Sequence, residues 1–266
     1  MDKGPSAADG ASGFGLIVIG DEVLNGPRTD AHLPFFRQLL AARGHCLAWH
    51  WLLPDDPEVL TGQLRISLGL GVPVFVCGGI GATPDDHTRA CAAAAAGLDL
   101  VRHPGARALI EGRFGATAYP HRILMADLPA GCDLIPNPHN QIPGFSLRGH
   151  WFLPGFPQMA WPMAQWVLGH YQGSAEPLRE AALEVLGVPE SELIPLMLAL
   201  GSRFHGIKPF SLPHIGADPH ILLGLRGRCD LGPAMAALRA GLAAAGMDCR
   251  EQSALYPTCH HGDSTR

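Results

Sequence analysis

Long apolar runs alternate with helix-patterned segments along the first hundred residues, and this alternation is the feature that most constrains the fold. The run at 14–19 is continuously apolar and ends at Gly20. Such runs are typical of strands that are buried on both faces of a parallel sheet. The same reasoning along the chain predicts strands at 14–19, 46–53 and 72–77, and helices at 29–43, from 54 onward and at 88–96.

This order of elements predicts a three-layer αβα fold around a mostly parallel, doubly wound sheet. Ligands of such sheets bind beyond the carboxyl ends of the strands. Acidic loops follow all three predicted strands, with Asp21, Glu22, Asp55, Asp56, Asp85 and Asp86 in them. Because parallel strands end at one edge, the three loops are expected to converge there.

The second half of the chain has a different pattern. After residue 119 it is rich in proline, with short strands predicted near Leu134 and at 151–153 and a helix at 157–168. The pattern resets after 172–174, and later segments predict helices at 191–200 and 233–245 and strands at 210–212 and 221–225. The predicted organisation is a flexible leader (1–13), an α/β domain (14–172), a smaller α+β unit (175–250) and a disordered tail (257–266).

Charge and cysteine usage exclude several classes of protein. The chain has 19 basic and 24 acidic residues, and only two of the basic residues are lysines. A nucleic-acid partner usually requires a basic excess, so none is predicted. Neither lysine follows a glycine-rich turn, which excludes a P-loop. Seven cysteines without a Cys-x-x-Cys motif predict reduced thiols and a cytoplasmic location.

An uncharged stretch at 66–84 has the length of a membrane span. It contains five glycines and two prolines, which a spanning helix rarely carries together. A short buried strand between glycine turns explains it better, so no membrane association is predicted.

The glycine-rich segment 78–86, which reads GGIGATPDD, predicts a phosphate site. Glycine lets backbone N–H groups approach an anion closely, and the following helix adds its positive N-terminus. Asp85 and Asp86 would repel a phosphate unless a cation lies between them. Mg²⁺ held by one or two carboxylates and by phosphate oxygens satisfies both groups. The alternatives are a plain tight turn and two carboxylates that cap the helix.

The other loop acids and several histidines are weaker candidates. Each acid alone is typical of a solvated loop, and the set at adjacent strand ends favours a site formed by Asp21, Glu22, Asp30, Asp55 and Asp56. His87, His139 and His150 are interpreted as substrate contacts at the site or its rim. The tail motif at 259–261, Cys-His-His, is interpreted as part of a disordered tail.

Five blocks of sequence, in this order, resemble those of molybdopterin-binding domains of the MoaB/Mog type. They are GDEVLNG at 20–26 with Asp30, PDDP at 54–57, GGIGATPDDHT at 78–88, NPHNQIPGF at 137–145 and LPGFPQM at 153–159. The last two blocks are most similar to the N-terminal region of competence/damage-inducible protein A (CinA). A weaker resemblance extends to about residue 246 through 210–213 and 220–227.

The resemblance implies a domain that binds molybdopterin or a nucleotide through its phosphate. It implies cofactor contacts at Gly78, Gly79, Gly81, Thr83, Thr88, Asn137 and Gly144, catalytic roles for Asp55 and Asp86, and Mg²⁺ or another divalent cation at Asp85 and Asp86. CinA-type proteins imply metal-dependent cleavage of a nucleotide diphosphate such as ADP-ribose. Molybdopterin adenylyltransferases imply Mg²⁺-dependent nucleotidyl transfer. The resemblance also implies a homo-oligomer, and no deamidase activity, because the deamidase domain of many CinA proteins is not expected here.

Two positions depart from the family pattern. Ile80 stands where threonine is usual, and Gln158 stands where glutamate is usual. The first change removes a hydroxyl that could contact phosphate, and the second removes an acid. Both keep open two alternatives to an enzyme, a non-catalytic binding module and an oligomeric adaptor with a vestigial site.

Overall fold

The computed structural model describes residues 13–173, 178–216 and 218–251, and these residues form two compact units, one on each side of residues 174–177. The predicted tail and all of the predicted leader except Gly13 lie outside the described residues. Gly13 is the first residue of the first strand.

The first unit contains eight strands and six α-helices among the described residues. The strands are β1 (Gly13–Ile19), β2 (Cys46–Leu53), β3 (Val74–Cys77), β4 (Leu100–Arg102), β5 (Asp127–Pro129), β6 (Asp133–Ile135), β7 (Gly144–Leu147) and β8 (His150–Leu153). The helices are α1 (Asp21–Leu24), α2 (His32–Ala41), α3 (Pro57–Gly69), α4 (Thr88–Ala96), α5 (Pro104–Phe114) and α6 (Pro157–His170). Two 3₁₀ turns follow α5, at Gly115–Ala118 and Arg122–Ala126.

The central sheet has the strand order β2-β1-β3-β8-β7-β6. The first four strands are parallel, and β7 is antiparallel to both β8 and β6. One core cluster packs α2 and α6 against one face, and a second cluster packs α3, α4 and α5 against the other. The two layers of helices and the mostly parallel sheet confirm the predicted fold class.

Local sequence sets the start of two helices. The Asp56 carboxylate accepts a hydrogen bond from the N–H of Val59 at 2.8 Å, and Pro57 occupies the first turn of α3. Helix α2 begins at His32, three residues later than predicted, because the Asp30 carboxylate accepts from the N–H groups of His32 at 2.7 Å and Leu33 at 3.4 Å. This side-chain turn holds the preceding residues out of the helix.

The uncharged stretch at 66–84 divides into the end of α3, a turn, strand β3 and the start of the glycine-rich segment. Within the described ranges, no helix is long and apolar enough to cross a membrane. The prediction of a buried strand between glycine turns is confirmed.

The second unit is an antiparallel sheet packed with helices. Its elements are β9 (Arg179–Leu186), a 3₁₀ turn (Glu190–Leu193), α7 (Ile194–Arg203), β10 (Ile207–His214), β11 (His220–Gly227), α8 (Gly232–Ala244) and β12 (Cys249–Glu251). The strand order is β10-β11-β9-β12. Leu200, Leu238 and Leu242 lie in one buried cluster with the sheet. A smaller α+β unit is confirmed. The elements that were not predicted are β9 and β12 and, in the first unit, α1, β4, β5, β7 and α5.

Candidate functional site

The four parallel strands end together at one edge of the central sheet. The register pairs Ile19 with Leu53 across β1 and β2, and Cys77 with Val18 and Leu153 across β3, β1 and β8. The segments that follow these strands therefore start side by side. We call this the carboxyl edge, and it carries the predicted acidic loops and the glycine-rich segment.

Asp55 links two of the acidic loops. Its Oδ2 accepts a hydrogen bond from the N–H of Asp21 at 3.0 Å. Burial raises the pKa of Asp55, and the negative charges of Asp21, Glu22 and Asp85 raise this pKa further. The structure thus brings acids from three strand ends within electrostatic reach of one another.

The remaining predicted acids have local structural partners. Asp56 caps α3, and Asp30 caps the start of α2. Glu22 forms an exposed ion pair with Arg28 at 3.5 Å. Each of these contacts uses one carboxylate oxygen, so they do not decide whether the same acids also contact a ligand.

The first two glycines of the turn after β3 are required by the backbone. Gly78 has φ of +120°, and a Cβ there would lie 2.2 Å from the carbonyl oxygen of Ile19. Gly79 has φ of +64°, and a Cβ there would lie 2.3 Å from Oγ1 of Thr88. Any other residue would be strained at both positions. Within the described ranges, the backbone N–H groups of 79–82 donate to no protein acceptor.

Asp86 closes the turn and does not cap the following helix. Its Oδ2 accepts from the N–H of Thr83 at 2.8 Å and from the Thr83 hydroxyl at 2.5 Å. The first residue before α4 is His87, which makes no capping hydrogen bond with its side chain. The hydroxyl of Thr83 also lowers the pKa of Asp85. The alternative in which these carboxylates cap α4 is wrong.

Arg89 contacts the glycine turn from helix α4 and was not identified from the sequence as part of the site. This buried guanidinium donates to the carbonyl oxygens of Gly81 at 2.8 Å, Leu124 at 2.5 Å and Asp127 at 3.0 Å. It therefore ties the glycine turn to the segment that leads into β5. The available signal was a charged residue inside the alanine-rich, core-facing helix at 88–96.

Three polar side chains lie close together near the carboxyl edge, buried His32 and partly buried Asp30 and His50. His32 donates through Nε2 to the carbonyl oxygen of Gly155 at 3.0 Å. Oδ2 of Asp30 and Nε2 of His50 are 3.6 Å apart. Neither atom makes a hydrogen bond to described residues, and neither does Nδ1 of His32. Burial lowers the pKa of both histidines, so both are predominantly neutral at pH 7.

The sheet also places Asn137 and Gly144 at the carboxyl edge. Asn137 follows β6, which runs parallel to β8, and Gly144 begins the antiparallel β7. Asn137 is buried; its Oδ1 accepts from the N–H of His139 at 3.0 Å, and its Nδ2 has no partner among the described residues. Strand β6 lies three positions from β3, about 14 Å at the usual strand spacing. Only an extended ligand would reach both Asn137 and the glycine turn.

His150 was wrongly assigned to the rim of the site. It is the first residue of β8 and pairs with Val74, the first residue of β3, so it lies at the opposite, amino edge. Its Nε2 is hydrogen-bonded to Oγ of Ser67 at 2.9 Å, and burial lowers its pKa to about 4. It is a buried structural histidine.

Two cavities of the described residues lie away from the carboxyl edge. One apolar cavity of about 520 Å³ lies in the second unit, lined by Ile194, Met197 and Leu198 among others. Another of about 390 Å³ is lined by Trp151, Trp166 and Tyr171 in the first unit. Neither contains a residue of the glycine turn.

Comparisons with known proteins agree with the geometry. The chain matches the family described as "Probable molybdopterin binding domain" over residues 15–172. A CinA-like protein of Citrifermentans bemidjiense is 31% identical over 227 residues, 82% of this chain and 54% of that protein. Another CinA-like protein, from Anaeromyxobacter dehalogenans, is 32% identical over 185 residues, 66% of this chain and 45% of that protein. This chain spans about half the length of these relatives.

A solved structure shares the fold. The protein CinA of Thermoplasma acidophilum, whose function is described as unknown, is 28% identical and has a TM-score of 0.56. The match covers 60% of this chain and 97% of that one. The fold is an α/β domain whose glycine turn and acidic loops lie together at the carboxyl ends of its strands. The chain belongs to the molybdopterin-binding domain family, and its first unit is a MoaB/Mog-type domain related to CinA.

Proposed function

We propose that the carboxyl edge binds the phosphate group of a pterin or a nucleotide. The observation that carries this proposal is the glycine turn, where the consecutive N–H groups of 79–82 have no acceptor within the described ranges. Backbone N–H groups beside a helix N-terminus form a favourable environment for an anion. The family match supports a small pterin or nucleotide ligand.

The acids beside the turn suit a divalent cation shared with the ligand. The described residues contain no group of three or more side chains arranged to hold a metal ion. Mg²⁺ usually needs one or two carboxylates, since phosphate oxygens and water complete its shell. The free Oδ1 of Asp86, together with Asp85, meets that requirement. The cation would offset the repulsion between these acids and the phosphate.

If the site is catalytic, its chemistry is cleavage of a phosphoanhydride such as that of ADP-ribose. A water oxygen would form a bond to phosphorus while the bridging P–O bond breaks, giving AMP and ribose 5-phosphate. Asp55, with its raised pKa, would accept the proton of the attacking water. Transfer of an adenylyl group to another phosphate is the related reaction, with that phosphate in place of water.

Two side chains favour a second candidate, a module that binds without turnover. Ile80 is buried in the core beside α4, so its position offers no hydroxyl to a phosphate. Gln158 is exposed in the first turn of α6, and its side chain makes no hydrogen bond to described residues. A cytoplasmic location and a homo-oligomer stay predictions beside either candidate.

A matched pair of variants tests the proposal. Asp86→Asn removes one of the two carboxylates proposed to hold the cation, while its amide oxygen can still accept from the N–H of Thr83. Asp133→Asn removes an exposed charge at the amino end of β6. We expect calorimetry with Mg²⁺ to show ADP affinity reduced at least about tenfold in the first variant, or about 1.4 kcal/mol, and unchanged in the second. The protein would then be incubated with ADP-ribose and the products analysed by chromatography. Release of AMP would identify an enzyme, and its absence would favour the binding module.

Failure of the wild-type protein to bind ADP, pyrophosphate or a pterin diphosphate at millimolar concentration would contradict the proposal. Equal effects of the two substitutions would contradict the role of Asp86. Binding without release of AMP above that of an Asp55→Asn variant, which lacks the proposed base, would favour the second candidate.

A further inference from the structure

Phe156 is an exposed aromatic residue at the carboxyl edge. It is the third residue after β8 and directly precedes α6, and half of its surface (50%) is exposed. The other phenylalanines of the central sheet, Phe14, Phe75, Phe145 and Phe152, are almost completely buried. The core therefore does not need Phe156, and its ring is available at the edge where the acidic loops converge.

The guanidinium of Arg28 lies over this ring. Its central carbon is 5.5 Å from the ring centroid, within the range of a cation–π contact. Arg28 also pairs with the Glu22 carboxylate at 3.5 Å, and its backbone N–H donates to the carbonyl oxygen of Glu22 at 2.9 Å. The loop after α1 is thus folded back so that two flat groups, one aromatic and one cationic, meet.

A close backbone contact places Phe156 near the glycine turn. Gly155, the residue before Phe156, lies so near to Gly78 that a Cβ on Gly155 would be 3.4 Å from the Cα of Gly78. The carbonyl oxygen of Gly155 accepts the hydrogen bond from buried His32. Adjacent Cα atoms are about 3.8 Å apart, so the backbone of Phe156 lies one residue beyond this contact with Gly78, the first residue of the glycine turn.

We propose that Phe156 and Arg28 form a stacking platform for the planar heteroaromatic ring of the ligand. This inference rests on the proposed function, since it assumes that the phosphates of the same ligand occupy the glycine turn. Purines and pterins share the required chemistry, a flat, nitrogen-rich bicyclic ring. Such rings stack on aromatic faces and on guanidinium planes, and the platform selects ligands that carry a ring over those that carry phosphate alone.

The test compares ligands with and without a ring, using isothermal titration calorimetry in Mg²⁺. The probes are ADP, 6-hydroxymethyl-dihydropterin diphosphate and inorganic pyrophosphate. Phe156→Leu keeps an apolar side chain but removes the aromatic face. We expect this variant to lose about tenfold in affinity for at least one ring-bearing probe and to change less than twofold for pyrophosphate. Phe156→Trp should retain the wild-type preference.

A control lies on the helix that follows Phe156. Trp166 of α6 has a similar exposure, 40%, but does not adjoin the glycine turn. Trp166→Leu should leave the affinities for all three probes unchanged, because the loss of an exposed aromatic residue elsewhere does not affect the platform.

Two results with the Phe156→Leu variant would overturn the platform while the phosphate site stands. One is Phe156→Leu binding both ring-bearing probes as the wild type does, and the other is equal losses for pyrophosphate and for the ring-bearing probes. Wild-type protein that binds pyrophosphate as tightly as ADP and the pterin diphosphate would also overturn it. Wild-type protein that binds none of the three probes would overturn the proposed function and the platform together.

Discussion

The two edges of the central sheet bury polar groups in opposite ways. At the amino edge, both ring nitrogens of His150 have partners, Oγ of Ser67 at 2.9 Å and the carbonyl oxygen of Arg148 at 3.4 Å. At the carboxyl edge, buried polar atoms of Asp30, His32 and Thr88 have no partner within the described ranges. Both edges therefore bury polar atoms, and they differ in whether those atoms have hydrogen-bond partners.

This difference separates structural from functional polarity. Buried polar groups are normally paired, because an unpaired one costs free energy. The amino edge obeys this rule and adds stability. The carboxyl edge departs from it next to a turn that only glycine can form and next to mutually repelling acids, as the proposed binding site requires. Three predictions test this contrast, in order of decreasing effect.

The largest effect is expected from Gly78→Ala at the carboxyl edge. The added Cβ would meet the Ile19 carbonyl oxygen at 2.2 Å, where backbone cannot yield cheaply. We expect a loss of about 3 kcal/mol or more in the free energy of unfolding, and loss of pyrophosphate binding. Gly62→Ala, in the interior of α3 with open space around it, should instead gain up to about 1 kcal/mol. Urea denaturation and calorimetry measure both, and equal stability of the two variants would contradict the strain at Gly78.

Arg89→Met tests the clamp beneath the glycine turn. It leaves three carbonyl oxygens without their guanidinium partner, at a cost of about 2–3 kcal/mol, and it frees the turn at Gly81. We therefore expect a lower free energy of unfolding and a lower affinity for pyrophosphate. Arg65→Met on the exposed side of α3 should change stability by less than about 0.5 kcal/mol. An Arg89→Met protein with wild-type stability and affinity would show that the clamp does not position the turn.

His150 tests the amino edge through pH. Its pKa is about 4 in the folded protein and near 6.5 when unfolded. As pH falls, the unfolded state therefore takes up this proton first. The contribution of neutral His150 to the free energy of unfolding is complete above about pH 6.5 and is lost as pH falls toward 4. Between pH 7.5 and 5, the wild type should lose about 2 kcal/mol more than His150→Gln. Denaturant titrations at the two pH values measure this, and identical losses would show that His150 does not titrate as a buried group.

Much of the fold could be predicted because local patterns and tertiary packing agree. The first and second strands and α4 lie at or within one residue of their predicted bounds. The site was predictable as a set of loops, since parallel strands must end at one edge. Arg89 and the His32–Gly155 hydrogen bond were not, because each joins residues that are far apart in sequence.

The sequence by itself determined the alternation of strands and helices, the acidic character of one sheet edge and the glycine turn. These depend on side-chain period and on backbone freedom, which are local properties. Tertiary structure decided the rest. The segment 179–186, which reads REAALEVL, is composed mostly of good helix formers, yet it becomes a central strand because β11 and β12 pair with it on both sides. Long-range contacts likewise placed His150 at the amino edge and Phe156 at the carboxyl edge. The reason is that strand register, which local sequence does not set, determines which residues become neighbours across the sheet.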